Sequence, residues 1–406
     1  MTGAEILDSR YAWMRLAVAL AIATVGNVGL WAFVTVMPDV QAEFDVARGT
    51  ASLPYTATMV GFALGNLVIG RIVDRWGITT ALIGAALLIG GAKGAAAFSP
   101  SLAVLAALQL AVGFGTAASF GPLIADVSLW FLKRRGIAVA IAASGNYLAG
   151  TVWPTLLGGV LAEHGWRGVY LALAAVCIGL MIPLAVLLRR RLPLEASAHS
   201  DAISAGRQQA AGISPRTLML MLGAAGIGCC VAMAMPQVHV VSLCADLGYG
   251  PAVGGRMLSA MLLAGLISRL VFGLVADRLG GARTLLLGSA LQCVALFLYL
   301  PAGGLVSLYA VSVVFGLAQG GIVPSYALVV REYMPSAEAG RRVGFVLMIT
   351  ILGMALGGWM SGWIFDVTGS YQMAFVNGIA FNFVNIAIMS LILWRTRPGR
   401  PVAAAA

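Results

Sequence analysis

Long apolar runs parted by short polar segments organise this chain from end to end, without the short alternating segments of a membrane barrel. Twelve runs come close to or exceed the ~20 apolar residues that cross a bilayer as a helix. They lie at roughly 13 to 37, 52 to 70, 79 to 98, 101 to 127, 136 to 160, 168 to 188, 216 to 244, 254 to 275, 283 to 301, 305 to 330, 343 to 365 and 372 to 394. The first, about Tyr11 to Met37, is too long for a cleaved signal core and lacks a convincing cleavage site, so it is expected to remain as the first helix. An even number of crossings puts both termini on one side. The predicted fold class is an all-α membrane protein of twelve transmembrane helices.

Composition strengthens that reading. Of 406 residues 60% are hydrophobic and 10% charged, with a mean hydropathy of +0.95, a ratio no soluble domain could keep while covering itself with polar surface. The 51 glycines suit helices that pack closely through small residues. A net charge of +10 invites a nucleic-acid reading, but the charges fall almost entirely in the segments between apolar runs, so no nucleic-acid partner is expected. All of the 25 Lys and Arg except Arg48, Lys93, Arg167, Arg256 and Arg269 fall on the side of the termini. By the positive-inside rule both termini are expected in the cytoplasm and the protein in the cell's inner membrane. Cys177, Cys229, Cys230, Cys244 and Cys293 are scattered through apolar stretches without paired spacing and read as small core residues. No metal site and no cofactor is expected.

The chain also repeats itself. GRIVDRWG (Gly70 to Gly77) and GLVADRLG (Gly273 to Gly280) each follow an even-numbered run at the terminal side, with Asp74 and Asp277 separated by 203 positions. The same offset brings Gly159, in GVLAEHGWRGVY, onto Gly362, in GWIFDVTGSYQM. Two agreeing registers argue for duplication. The predicted organisation is a six-helix bundle over 1–188, a cytoplasmic linker over 189–215, rich in Ala, Ser and Gln, and a second six-helix bundle over 216–406. Twelve spans in two pseudo-symmetric halves, with G-x-x-x-D-R-x-G after the second and eighth, resemble the major facilitator superfamily along essentially the whole chain. That resemblance implies two bundles around a central site opened alternately to either side. It also implies gate roles for Asp74, Arg75, Asp277 and Arg278, the Asp seated at the start of a neighbouring helix and the Arg paired with nearby acids. The alternative is that these are topogenic loop charges.

Arg269 is the most informative residue, placed in LLAGLISRLVFGLVADRLG about eight residues, or ~12 Å, inside the eighth span. An intramembrane Arg costs about 2.5–3.5 kcal/mol on insertion scales, and its planar fork suits a carboxylate. Snorkelling, or a fixed pair with a helix carboxylate, is the alternative. Two segments extend the resemblance to the monocarboxylate porter and oxalate/formate exchanger branch. One is WFLKRRGIAVAIAASGNYLAG leading to WPTLLGGVLAEHGWRGVY; the other is Arg269 itself, eight residues before Asp277, where the branch carries its substrate-carboxylate Arg. Animal members of the branch have an Asp one turn before this Arg and a Lys in the first helix for proton coupling. Here that position is Gly265, and the first run holds no Lys. Where the oxalate exchanger has a second cation in its eleventh helix, this chain offers Thr350. One guanidinium balances one carboxylate, which favours monoanions.

The offset pairs Arg269 with Asn66, which could offer donor and acceptor to a hydroxyl or keto group or simply pack helices. Asn27, Asn146 and Tyr147 are similar mid-span substrate-binding candidates. In the tenth span Gln319, Val323 and Tyr326 share a face beside Pro324, a predicted kink, and that face is expected to line a cavity, with an interfacial position for Tyr326 as the alternative. His239, near Pro236 and Gln237, is the candidate proton site, or else a satisfied packing histidine.

The resulting expectation is a monomeric secondary active or facilitative transporter of small organic monocarboxylates, with proton coupling open. Two rivals stand beside it. A proton-coupled exporter of amphiphiles is suggested by GTVWPTLLGG (Gly150 to Gly159) but opposed by Gln109, where such exporters commonly carry Arg. A transport-dead receptor lacks an added domain or long tail to relay a signal. No nucleophile and base, metal cluster or phosphate loop points to an enzyme.

Overall fold

Backbone amides inside a bilayer have no water to bond, which leaves the helix as the element that satisfies its own backbone one segment at a time. The computed structural model meets that demand with helices alone: no strand occurs among the described residues, which are 6–46, 50, 53–191, 213–249 and 251–395. The centre of the expected linker (192–212), Arg48, Arg207, Arg397 and Arg400 lie outside them. In chain order the helices are α1 (Arg10–Gly26), α2 (Val28–Phe44), α3 (Leu53–Trp76), α4 (Ile78–Ala96), α5 (Leu102–Thr116), α6 (Gly121–Leu129) and α7 (Arg135–Leu187). There follow α8 (Pro215–Asp246), α9 (Pro251–Leu279), α10 (Gly281–Tyr299), α11 (Leu305–Gln319), α12 (Ile322–Tyr333), α13 (Ala339–Thr368) and α14 (Gln372–Arg395).

Among the described residues 11 helical stretches are long and apolar enough to cross a membrane. The remaining expected span, 136 to 160, is helical too: it is the first part of α7, whose path breaks at Gly165 (φ 65°, ψ −175°) before the next span begins. Large apolar side chains such as Leu64, Leu87, Leu263 and Ile267 stand exposed, as lipid rather than water as solvent permits.

Two units emerge, and neither is contiguous. The first comprises Met1–Leu132, Ile141–Ser197 and Ala337–Met348; the second comprises Lys133–Ala140, Ala198–Ser336 and Ile349–Ala406. Each unit thus includes a short stretch carrying the first turns of a helix, α13 or α7, that continues elsewhere.

Inside each unit the same glycine contact recurs. A Cβ on Gly113 in α5 would sit 1.9 Å from the Thr58 carbonyl of α3, and one on Gly316 in α11 would sit 2.1 Å from the Met261 carbonyl of α9. Both partners obey the 203-residue offset, so the duplication extends to backbone packing. Without a hydrophobic drive between helices in lipid, such backbone approach is a main source of cohesion.

Charged groups inside the first unit are paired or stacked. Buried Arg15 on α1 donates to both Asp126 carboxylate oxygens of α6 (Nε to Oδ2 3.2 Å, NH2 to Oδ1 3.1 Å and to Oδ2 2.8 Å). Its NH1 donates to the carbonyls of Leu188 (2.8 Å) and Arg190 (3.2 Å), and its guanidinium lies 4.6 Å from the Trp130 ring centre. Arg15 therefore clamps α1 to α6 and to the end of α7. Lys93 does not reach out of α4: it is fully buried, its Nζ 4.1 Å from the Tyr170 ring centre. After the Gly165 break, Trp166 Nε1 donates to Glu43 Oε2 at 2.6 Å and Arg167 bonds the same oxygen. The Arg167 guanidinium holds the Glu43 carboxyl below the usual carboxylate range.

Gly113→Val and Gly316→Val should each cost about 1–3 kcal/mol by overpacking. Gly84→Val, at a glycine with nothing within 4 Å, should cost far less. Thermal unfolding of the purified protein in detergent would measure all three, and equal midpoints would contradict the close-packing account.

Candidate functional site

The second unit holds Arg269, the cation expected inside the eighth span. Arg269 on α9 is 3% exposed and donates from Nε to the Gly320 carbonyl at 2.9 Å. One residue earlier, Ser268 Oγ donates to the Leu317 carbonyl at 2.5 Å, so two successive α9 side chains bond the end of α11. Contact this close is possible because Gly320 has no side chain: a Cβ there would lie 2.1 Å from the Gly265 carbonyl. Gly265, at the position where the resembling branch carries Asp, is thus part of a backbone-to-backbone contact.

The tenth span is broken, and the break precedes the proline. α11 ends at Gln319 and α12 begins at Ile322, with Gly320 and Gly321 between them, one turn before Pro324, which has no N–H for the Gly320 carbonyl. Gln319 and Tyr326 therefore sit on separate helical segments. Gln319 is buried, its Oε1 accepting from Gln237 Nε2 of α8 at 2.8 Å, while its own Nε2 has no hydrogen-bond partner among the described residues. Tyr326 is fully buried too and donates to Asn385 Oδ1 of α14 at 3.2 Å. Asn385 Nδ2 in turn donates to Ser289 Oγ at 2.6 Å.

His239 on α8 is held from both ring nitrogens. Nε2 lies 2.8 Å from the Gly358 carbonyl of α13, which can only accept, so Nε2 carries the proton. Nδ1 lies 3.3 Å from the Tyr371 hydroxyl.

In the first unit Asn66, fully buried, turns its Nδ2 back onto the Phe62 carbonyl of its own helix at 2.8 Å. Its Oδ1 has no partner among the described residues and lies where a Cβ on Gly121 would be 2.2 Å away. Asn27 stands at the joint between α1 and α2, donating from Nδ2 to Ala23 O (2.7 Å) and Ser119 O (3.1 Å), again with Oδ1 unpartnered. Asn146 and Tyr147 are half-buried on α7.

The repeated loop motif makes physical sense residue by residue. In the first unit Asp74 accepts from the amides of Gly340 (2.9 Å) and Arg341 (2.8 Å). In the second, Asp277 accepts from those of Gly136 (2.5 Å) and Ile137 (3.1 Å). These are the second and third residues of α13 and α7, whose amides have no intrahelical acceptor and whose helix ends favour negative charge. The motif's first glycines admit the helix start: a Cβ on Gly70 would lie 2.4 Å from the Gly340 carbonyl, and one on Gly136 the same distance from that of Gly273. Its last glycines, Gly77 (φ 87°) and Gly280 (φ 82°), end α3 and α9 in a conformation other residues resist. Arg75 and Arg278 are exposed, Arg75 lying 5.4 Å from the Trp76 ring centre.

Pattern reading passed over Asp126, Glu43, Asn385 and the pairing of Gln237 with Gln319. Asp126 was detectable as the lone acid inside FGPLIADVSLW, whereas the others needed a partner remote in sequence.

The sequence model of the Major Facilitator Superfamily matches residues 19–238 and 220–406. Among named relatives, Monocarboxylate transporter 13 of Bos taurus is 27% identical over 381 residues, 93% of this chain and 88% of that protein. Monocarboxylate transporter 11 of Homo sapiens is 29% identical over 384 residues, 91% and 80% of the two chains. The Fujikurins efflux protein of Gibberella fujikuroi is 24% identical over 316 residues, 74% and 66%. Among solved structures, the human organic anion transporter MFSD10 superposes with a TM-score of 0.76 at 14% identity, covering 93% of this chain and 99% of that one, a likeness of fold.

Asp277→Asn should destabilise the protein by about 1.5–3 kcal/mol, because an amide replaces a carboxylate that accepts two helix-start amides. Arg278→Gln, at an exposed position, should stay within ~0.5 kcal/mol. Denaturation midpoints of the two variants in detergent check the difference; equal midpoints would remove the capping role.

Proposed function

This chain belongs to the Major Facilitator Superfamily, and from that premise we propose that it carries small organic monocarboxylate anions across the cell's inner membrane by alternating access, with both termini in the cytoplasm. That it is a multi-pass membrane transporter follows from the family. The finer reading is supported by one observation above all: Arg269, buried within a membrane-spanning helix, donates to the carbonyl of Gly320, the residue next to Gln319, whose buried Nε2 has no hydrogen-bond partner among the described residues. A carboxylate offers the paired acceptor oxygens and the negative charge that suit a guanidinium, and an acceptor for the Gln319 amide. The named monocarboxylate transporters among the relatives point to the same substrate class.

In this reading Arg269 neutralises the carboxylate, and Gln319 donates to it. Asn27, Asn66, Asn146, Tyr147 and Tyr326 are the further substrate-binding residues of this proposal, Asn27 and Asn66 each with an amide oxygen that has no partner among the described residues. Asp74 and Asp277, with Arg75 and Arg278, act as gate residues: each Asp caps a helix start, and releasing those amides is a natural opening step. Proton coupling would use His239, where a protonated Nδ1 needs the Tyr371 hydroxyl as its acceptor. The domains assigned from sequence, 1–188, 189–215 and 216–406, and a monomeric state belong to the same proposal. Export of a larger amphiphile is the second reading, favoured by the fungal efflux relative.

Uptake of labelled monocarboxylates into proteoliposomes, with and without an imposed pH gradient, tests the assignment. Arg269→Ala should lower uptake by roughly 10- to 100-fold, the equivalent of a charged hydrogen bond. Arg269→Lys should fall between, since lysine keeps charge but not the fork. Undiminished transport in both variants would sink the site, and extrusion of amphiphiles without monocarboxylate uptake would favour the second reading.

A further inference from the structure

We infer that Pro324 is a positioning residue for Arg269, acting through the Gly320 carbonyl it leaves unbonded. The inference rests on the reading of Arg269 as the carboxylate site. In a continuous helix that carbonyl would accept the N–H of residue 324. Proline has none, and its ring presses against the carbonyl four residues before it. The helical pattern resumes at once, for Ser325 N donates to Gly321 O at 3.2 Å, so the loss is confined to Gly320. An unbonded carbonyl in a water-free interior is costly, and Arg269 Nε fills it at 2.9 Å.

The bond is made by Nε rather than by the tip. A guanidinium is planar, so tethering Nε sets the plane in which the two terminal nitrogens lie and pre-organises the fork. The reach is short because Gly320 allows the backbones to touch: a Cβ there would lie 2.9 Å from the Arg269 backbone nitrogen.

The other half of the duplication serves as an internal comparison. Subtracting the 203-residue offset turns Gly320 into Ala117, Pro324 into Gly121 and Arg269 into Asn66. There the Ala117 carbonyl is already occupied, accepting from Phe120 N at 3.1 Å. Asn66 accordingly bonds within its own helix, to Phe62 O. The first half carries its proline one position later, Pro122, so the carbonyl that pairs with Gly320 is not the one it vacates, and the side chain that reaches across to the neighbouring segment is Arg269, in the half where proline vacates the Gly320 carbonyl.

Initial uptake rates against labelled monocarboxylate concentration should be compared for wild type, Pro324→Ala, Arg269→Ala, Arg269→Lys, Pro324→Ala with Arg269→Lys, and Ser268→Ala. Pro324→Ala returns an N–H to compete for the carbonyl and should raise KM about fivefold, the value of one neutral hydrogen bond, with little change in Vmax. Because lysine has no Nε–H to tether, adding Pro324→Ala to Arg269→Lys should change KM by less than about 1.5-fold, a non-additivity that packing alone would not produce. Ser268→Ala removes the adjacent inter-helix bond and should leave KM near wild type. In ¹⁵N-arginine-labelled protein, the Nε–H signal absent from Arg269→Lys should be protected from solvent exchange in wild type and exchange several-fold faster in Pro324→Ala. Equal protection, additive effects, an unchanged KM in Pro324→Ala, or an equal KM rise in Ser268→Ala would each overturn the positioning role alone. Undiminished transport by Arg269→Ala would overturn the carboxylate reading and this inference with it.

Discussion

Inside the membrane a polar group has no water to fall back on, and most of what is particular about this protein follows from where each such group finds its partner. Arg15 uses five contacts to Asp126 and to two carbonyls, so that a charge close to the membrane interior becomes a clamp between helices. Lys93 lies against the face of Tyr170 instead. Thr58, Ser289 and Ser361 each donate to the carbonyl four residues earlier in their own helices. Among the described residues, Asn27 Oδ1, Asn66 Oδ1 and Gln319 Nε2 are buried polar atoms without a partner. A transporter needs such groups, because atoms already satisfied within the protein gain little by meeting a substrate.

Glycine supplies the complementary device. Where Gly113 faces Thr58 and Gly316 faces Met261, the missing side chains bring backbones within contact and turn carbonyls into addressable groups on the partner helix. Arg269 exploits that proximity at Gly320. The loop motif uses the same economy: one glycine admits the start of a helix, the aspartate caps its amides, and a second glycine turns the chain away. The resemblance to a family motif thereby gains a mechanical account in which each fixed position answers a separate steric or electrostatic demand.

The duplication and its departures carry different information. The positions that agree under the 203-residue offset, Asp74 with Asp277 and Gly113 with Gly316, are structural. Those that differ, Asn66 with Arg269 and Gly121 with Pro324, fall where function is proposed. A duplicated scaffold binding a small asymmetric anion has reason to diverge there, since one cation suffices for one carboxylate and a second would be left unbalanced.

Span number, helical class, the repeat and the loop motif were all readable from the chain, because hydropathy over ~20 residues and the demand for internal hydrogen bonding leave few alternatives in lipid. Arg269 was conspicuous for the same reason: a charge in an apolar run advertises itself. Tertiary structure alone decided what each polar group touches, since partners such as Arg15 and Asp126, or Gln237 and Gln319, are separated by scores of residues and share no local pattern. It located the interruption of the tenth span at Gly320 and Gly321, one turn before Pro324, buried Tyr326 against Asn385, and set His239 between the Gly358 carbonyl and the Tyr371 hydroxyl. Periodicity reports which face of a helix is apolar; only packing of one backbone against another determines which carbonyl lies within reach of an arginine.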